Sequence, residues 1–166
     1  MSYDLNILCI NQRNVSKLPF NTTIESRNEF DSPYDGRYGL IWPFMCSLQG
    51  IWYFLGKEED GWFNNMSIVT ADFDKILDQD LRPFWISDEG VLSNLSPLIV
   101  FDEYKGDFEN IIQFFIQQSP SKTIMFLARY QCGDTEIIEG VLQYKEFIEL
   151  LSQRKILFNV CYIIRE

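Results

Sequence analysis

The chain contains no histidine. That removes Ser-His and Cys-His nucleophilic pairs, His-ligated zinc, and the side chain most often used as a general base near neutral pH. Cysteine is scarce and scattered: Cys9, Cys46, Cys132 and Cys161 form neither a CxxC pair nor a Cys cluster, which argues against zinc and against a disulfide framework. Three of them lie in the apolar runs ILCI, PFMCSL and NVCYII, where buried free thiols are expected. Long apolar runs are missing as well, since none approaches the roughly 18 residues that cross a bilayer. The start, MSYDLNILCI, lacks the basic region and small-residue cleavage site of a secretory leader. A cytoplasmic protein without membrane attachment is expected. Phosphate-cradling GxxxxGK[ST] and dinucleotide-binding GxGxxG patterns do not occur, so nucleotide cofactors have no sequence support.

What is present is apolar mass and acid. With 166 residues, 46% hydrophobic and 16% aromatic, the chain suffices for one buried core, and a single domain over residues 1–166 is expected. Between Glu58 and Glu109 there are 13 acidic residues against Lys75, Arg82 and Lys105. This stretch alone carries a net charge of −10, the value of the whole chain, and the remainder is balanced. Such placement speaks about partners rather than fold. It disfavours direct nucleic-acid binding, which needs a basic footprint, and points to a basic partner protein.

Local patterns predict an α+β fold with a mainly antiparallel sheet and about three helices. YDLNILCIN reads as a buried strand, and Asn11 to Tyr38 as a long connection rich in loop-forming residues. QGIWYFLG and WFNNMSIV are expected to pair as a hairpin, with KEED and its flanking glycines as the loop. Thr70 suits a helix N-cap, with Asp72 and Asp74 in the first turn, Phe73, Ile76 and Leu77 inward, and Pro83 limiting the helix. SPLIVFDEY is a strand candidate, and DFENIIQFFIQQ shows a clear helical face. KTIMFLARYQ and EIIEGVLQ read as two strands joined at CGDT. YKEFIELLSQRK predicts an amphipathic helix with basic residues in its last turn, and ILFNVCYII a closing strand.

The aspartates of TADFDKILDQD raise three chemical possibilities. Calcium fails on spacing, because an EF-hand loop needs an oxygen ligand at position 5, glycine at 6 and glutamate at 12. Counting from Asp72 meets Ile76, Leu77 and Pro83; counting from Asp78 meets Arg82 and Pro83, with only Glu89 in place. Spacing leaves open a magnesium site built on one or two carboxylates and a glycosidase-type carboxylate pair. The remaining possibility is a charged face, either merely solvated or shaped for a partner. On a helix Asp74 and Asp78 would be i,i+4 neighbours, a repulsion of about 0.2 to 0.5 kcal/mol. Nearby Trp62, Phe63, Phe84 and Trp85 suit core positions, or else anchors within a polar interface. The expected partner-binding residues are Glu58, Glu59, Asp60, Trp62, Asp72, Asp74, Asp78, Asp80, Asp88 and Glu89.

In overall character, and in the segments GKEEDGWF, ADFDKILDQD and ISDEG, the chain resembles bacterial toxin immunity proteins, including those of contact-dependent growth inhibition systems. The resemblance implies a stoichiometric inhibitor that covers the basic, nucleic-acid-facing cleft of a cognate toxin, with no cofactor and no catalytic residue. Two other functions compete with it: a carboxylate-based hydrolase, and an acidic nucleic-acid mimic acting on a DNA-binding protein.

Overall fold

The computed structural model describes residues 3–28, 49–72, 96–130 and 137–166. The N-terminal apolar run forms β1 (Tyr3–Ile10), flanked on both sides by antiparallel partners. One flank carries β3 (Gly50–Glu59), which pairs in turn with β2 (Glu25–Asn28) and β4 (Trp62–Asn64). The other carries β7 (Thr123–Tyr130), then β9 (Val160–Arg165), then β8 (Ile137–Gln143). A separate two-stranded ribbon joins β5 (Val69–Ala71) to β6 (Leu98–Val100). Backbone bonds fasten this ribbon to the approach of β9, from Leu98 N to Ile156 O at 2.7 Å and from Phe158 N to Ser96 O at 2.9 Å.

Two α-helices lie among the described residues, rather than about three: α1 (Lys105–Gln118) and α2 (Tyr144–Ser152). The expected third helix ran from Thr70 toward Pro83, and residues 73–95 lie outside the described residues. Its proposed start is in a different conformation. Thr70 belongs to β5, paired with Ile99, and is not an N-cap. Asp72 follows the strand and donates its N–H to Pro97 O at 3.0 Å, so it does not sit in a helical first turn. Among the described residues no helix is long and apolar enough to cross a membrane.

The α+β class holds, but the sheet is mixed. The strands expected to form a hairpin across CGDT are present as β7 and β8, yet β9 lies between them and β8 pairs with β9 in parallel. A parallel pair needs a crossover, and α2 supplies it. Arg154 and Lys155 fall beyond the end of α2, leaving its last turn without a base. The supposed long connection after β1 contains β2, whose polar ESRN pairs with Tyr53 to Gly56.

The core follows from strand alternation. Leu5, Ile7 and Cys9 of β1, Ile51, Tyr53 and Leu55 of β3, and Ile124, Phe126 and Ala128 of β7 share one buried cluster with Phe108, Ile111, Ile112, Phe115 and Ile116 of α1. Spacings of three and four residues along α1 put these side chains on one stripe. Phe126 sits centrally, its ring 5.8 Å from Phe108 and 5.4 Å from Phe147 of α2, both edge-on, a favourable arrangement of ring quadrupoles. The opposite face buries Leu8, Met125, Leu127 and Cys161. Burial on both faces explains why β1 and β7 read as unbroken apolar runs.

A polar network is built into this core. The Tyr53 hydroxyl donates to Gln12 Oε1 at 2.6 Å and accepts from the Ser16 N–H at 3.0 Å. Gln12 Nε2 donates to Ser16 Oγ at 2.9 Å, and Ser16 Oγ donates to Gln118 Oε1 at 2.9 Å. The segment after β1 is thereby tied to the end of α1. Cys9 and Cys161 are buried and in thiol form, as expected of their apolar runs. Cys46 and Cys132 lie outside the described residues.

Candidate partner-binding hairpin

Strand β3 leaves the core at Gly56. Its outer residues Lys57, Glu58 and Glu59 pair with Asn64, Phe63 and Trp62 of β4. The strand therefore runs through KEE, and the turn is only Asp60–Gly61. Both turn residues have positive φ, 51° and 80°, as a type I′ turn requires and as an Asp-Gly pair readily adopts. The expected return strand WFNNMSIV is divided into β4 and β5 by a hydrogen-bonded turn. There Asn64 Oδ1 accepts from Met66 N–H at 2.9 Å, and Asn64 O accepts from Ser67 Oγ at 2.9 Å.

Alternation gives the hairpin two unlike faces. On one, Phe63 lies over Gly56, where an added Cβ would come within 2.8 Å of the Phe63 ring. A side chain at position 56 would displace that ring. The Arg27 guanidinium of β2 sits 4.6 Å from the Phe63 centroid. Its Nη2 reaches Glu58 Oε2 at 2.6 Å and Glu25 Oε2 at 3.8 Å. On the other face Glu59 and Trp62 are direct cross-strand neighbours. Lys57 Nζ lies 3.6 Å from Glu59 Oε1 and 5.9 Å from the centroid of the Tyr104 ring. Tyr104 first, and Glu59 after it, hold the Lys57 ammonium above its ordinary range.

Trp62 is 77% exposed and Met66, four residues on, is 45% exposed. Aromatic side chains usually bury, so Trp62 departs from the expectation of a core position and takes the alternative, an exposed aromatic among charges. Phe63 is half-buried. Of the residues expected to meet a partner, the hairpin brings together Glu58, Glu59, Asp60 and Trp62. Asp72 sits elsewhere, on the β5–β6 ribbon, with its carboxylate mostly covered and 3.2 Å from Arg154 Nη1. Asp74, Asp78, Asp80, Asp88 and Glu89 lie outside the described residues. The sequence reading did not single out Arg27, Gly56 or Met66. The Asp-Gly pair between two aromatic runs is the signal that locates the turn and hence the Gly56–Phe63 register.

A cleft of about 260 Å³ runs between β6, the start of α1 and the end of α2. Its charged lining is Asp102, Lys105, Glu109 and Arg154. Lys105 Nζ is 2.5 Å from Asp102 Oδ1 and holds that carboxyl below its usual range. A general acid working near neutral pH needs the opposite shift. Among the described residues no group of three or more His, Cys, Asp or Glu side chains could hold a metal ion.

None of the protein-family models, curated proteins or solved structures compared with the chain matches it.

Proposed function

We propose that this protein is an inhibitory binding protein of the immunity type, which neutralises a cognate basic toxin by covering its active-site cleft. The observation that carries this reading is Trp62, 77% exposed on a hairpin whose neighbours are Glu58, Glu59 and Asp60. An exposed indole is costly to leave in water and is among the side chains that contribute most to binding when a partner encloses it. Acidic residues around it suit a cationic surface and speed encounter. A two-residue turn and the Asn64-centred turn keep the hairpin in one geometry, so little ordering cost is added on binding.

The hydrolase alternative needs two convergent carboxylates, one of them with a raised pKa. In the cleft beside α1, Lys105 shifts the Asp102 carboxyl downward, the opposite of what a general acid at that position would need. The nucleic-acid mimic requires acidic groups at phosphate-like spacing, and Glu58 and Glu59 alternate across the two hairpin faces, each with its own cation.

The test is genetic and then biochemical. The reading predicts a gene immediately upstream that ends in a basic toxin domain, and a one-to-one complex of the two purified proteins in which toxin activity is lost. A neighbouring basic domain that neither binds the chain nor loses activity in its presence defeats the proposal.

A further inference from the structure

We infer that the partner grips this hairpin through a socket for Trp62, an apolar pocket bordered by a cation placed for Asp60, and that Glu58 and Glu59 contribute little to affinity. The inference rests on the binding reading above and goes beyond it by naming what the partner offers.

Two of the three hairpin carboxylates already face a cation within the fold. Glu58 is held by Arg27 at 2.6 Å and Glu59 faces Lys57 at 3.6 Å. A partner cation approaching either carboxylate meets an existing cation beside it, and gains little from a pair that water and a neighbour already satisfy. Asp60 is different. It occupies the first turn position, is exposed, and makes no ion pair among the described residues. It is the carboxylate of the hairpin most open to a partner's Lys or Arg.

The apolar side is equally specific. Four large hydrophobic side chains are exposed among the described residues: Val15, Trp62, Met66 and Val141. Trp62 and Met66 are four residues apart, on a strand and the turn that follows it. That turn is closed by three bonds, including Ile68 N to Asn65 O at 3.1 Å. Because Glu59 is the cross-strand neighbour of Trp62, the indole rises beside a partly neutralised rim, which is the arrangement of a hot spot inside a polar border. A second copy of the chain is a poor occupant, because it would bring Asp60 toward another hairpin carrying the same uncompensated carboxylate, in a protein of net charge −10.

The test places the photo-crosslinking residue p-benzoylphenylalanine at Met66 of the full chain in source cells. The protein attached on illumination is identified by mass spectrometry, purified, and titrated with wild type, Trp62→Ala, Asp60→Asn and the double variant Glu58→Gln/Glu59→Gln. Melting curves confirm that each variant is folded. The inference expects Trp62→Ala to weaken binding at least about 30-fold, the size of a hot-spot loss. It expects Asp60→Asn to weaken binding several-fold and the double variant less than about threefold. A Trp62→Ala effect under threefold, with a tenfold or larger effect of the double variant, overturns the socket while the binding reading stands. If no protein other than a second copy is attached, or if the purified candidate fails to bind wild type, both fall.

Discussion

Strand β3 passes through two environments, and its halves are built on opposite rules. From Ile51 to Leu55 the inward side chains are buried, and Tyr53 packs 4.3 Å from Phe115 while its hydroxyl joins a closed network with Gln12 and Ser16. From Lys57 onward the same strand carries charge, pairs with a three-residue partner, and ends beside an indole open to solvent. In the first half, free energy comes from excluding water around rings and a few fully paired polar groups. In the second half the ion pairs are solvent-exposed and screened by water, so each contributes little. The fold therefore concentrates its packing at one end of β3 and holds the other end by strand pairing and exposed ion pairs.

The sharpest way to break this division is at the aromatic centre. Phe126→Ala removes a ring held between Phe108 and Phe147 and leaves a cavity, for an expected loss of about 3 to 5 kcal/mol. Urea denaturation checks it, and a loss below 1 kcal/mol would place the stabilising centre elsewhere. Tyr53→Phe keeps the ring and deletes the hydroxyl, leaving Ser16 N–H and Gln12 Oε1 short of a partner, so about 1 to 2 kcal/mol should be lost. A wild-type midpoint would mean that water or a neighbour replaces the hydroxyl at no cost.

The two halves also differ in how far the linear sequence discloses them. β1 and α1 are legible because burial imposes its own period: ILCI is continuous where both faces are covered, and Phe108, Ile111, Ile112 and Phe115 recur at helical spacing. β2 is hidden because ESRN is polar, and only the neighbouring β3 makes it a strand. Thr70 imitates a helix cap, since a polar residue followed by Asp72 and Asp74 satisfies the local rule. The partner that makes it a strand, Ile99, is 29 positions away. CGDT looks like a hairpin turn for the same reason, while the insertion of β9 between β7 and β8 is a contact no local window contains. The acidic middle third was visible as charge. Its ion pairs with Arg27, Lys57 and Arg154 were not, because those cations lie outside the acidic stretch, Arg27 and Arg154 far from it in sequence.

Asp107 lies between the two regimes in energy. Its Oδ2 accepts from Thr23 N–H at 2.8 Å and from Thr23 Oγ1 at 2.6 Å, tying the approach of β2 to the first turn of α1. These bonds favour the charged form and lower its pKa below the ordinary value. With a depressed folded pKa, the unfolded chain binds more protons in acid, so this contribution is fully present above the unfolded value of about 4. It is lost as pH falls through the folded value. Asp107→Asn, which keeps an oxygen for Thr23 but not the charge, should cost no more than about 1 kcal/mol at neutral pH, since the group is partly solvated. The gap between wild type and variant should close below pH 4. A gap that persists in acid would assign the effect to packing rather than to the carboxylate.

The smallest expected effect on stability discriminates best between the halves of β3. Trp62→Ala removes the largest exposed side chain of the hairpin, and because the indole is mostly in water already, unfolding should shift by less than about 0.5 kcal/mol. Its consequence for a partner should be a loss of at least about 2 kcal/mol of binding. The same residue class thus gives opposite outcomes at two positions of one sheet: Phe126 decides whether the protein folds, and Trp62 decides what the folded protein holds. If Trp62→Ala lowered the urea midpoint as far as Tyr53→Phe does, the hairpin would be part of the core's cooperative unit, and its exposed indole could no longer be read as a surface kept for another molecule.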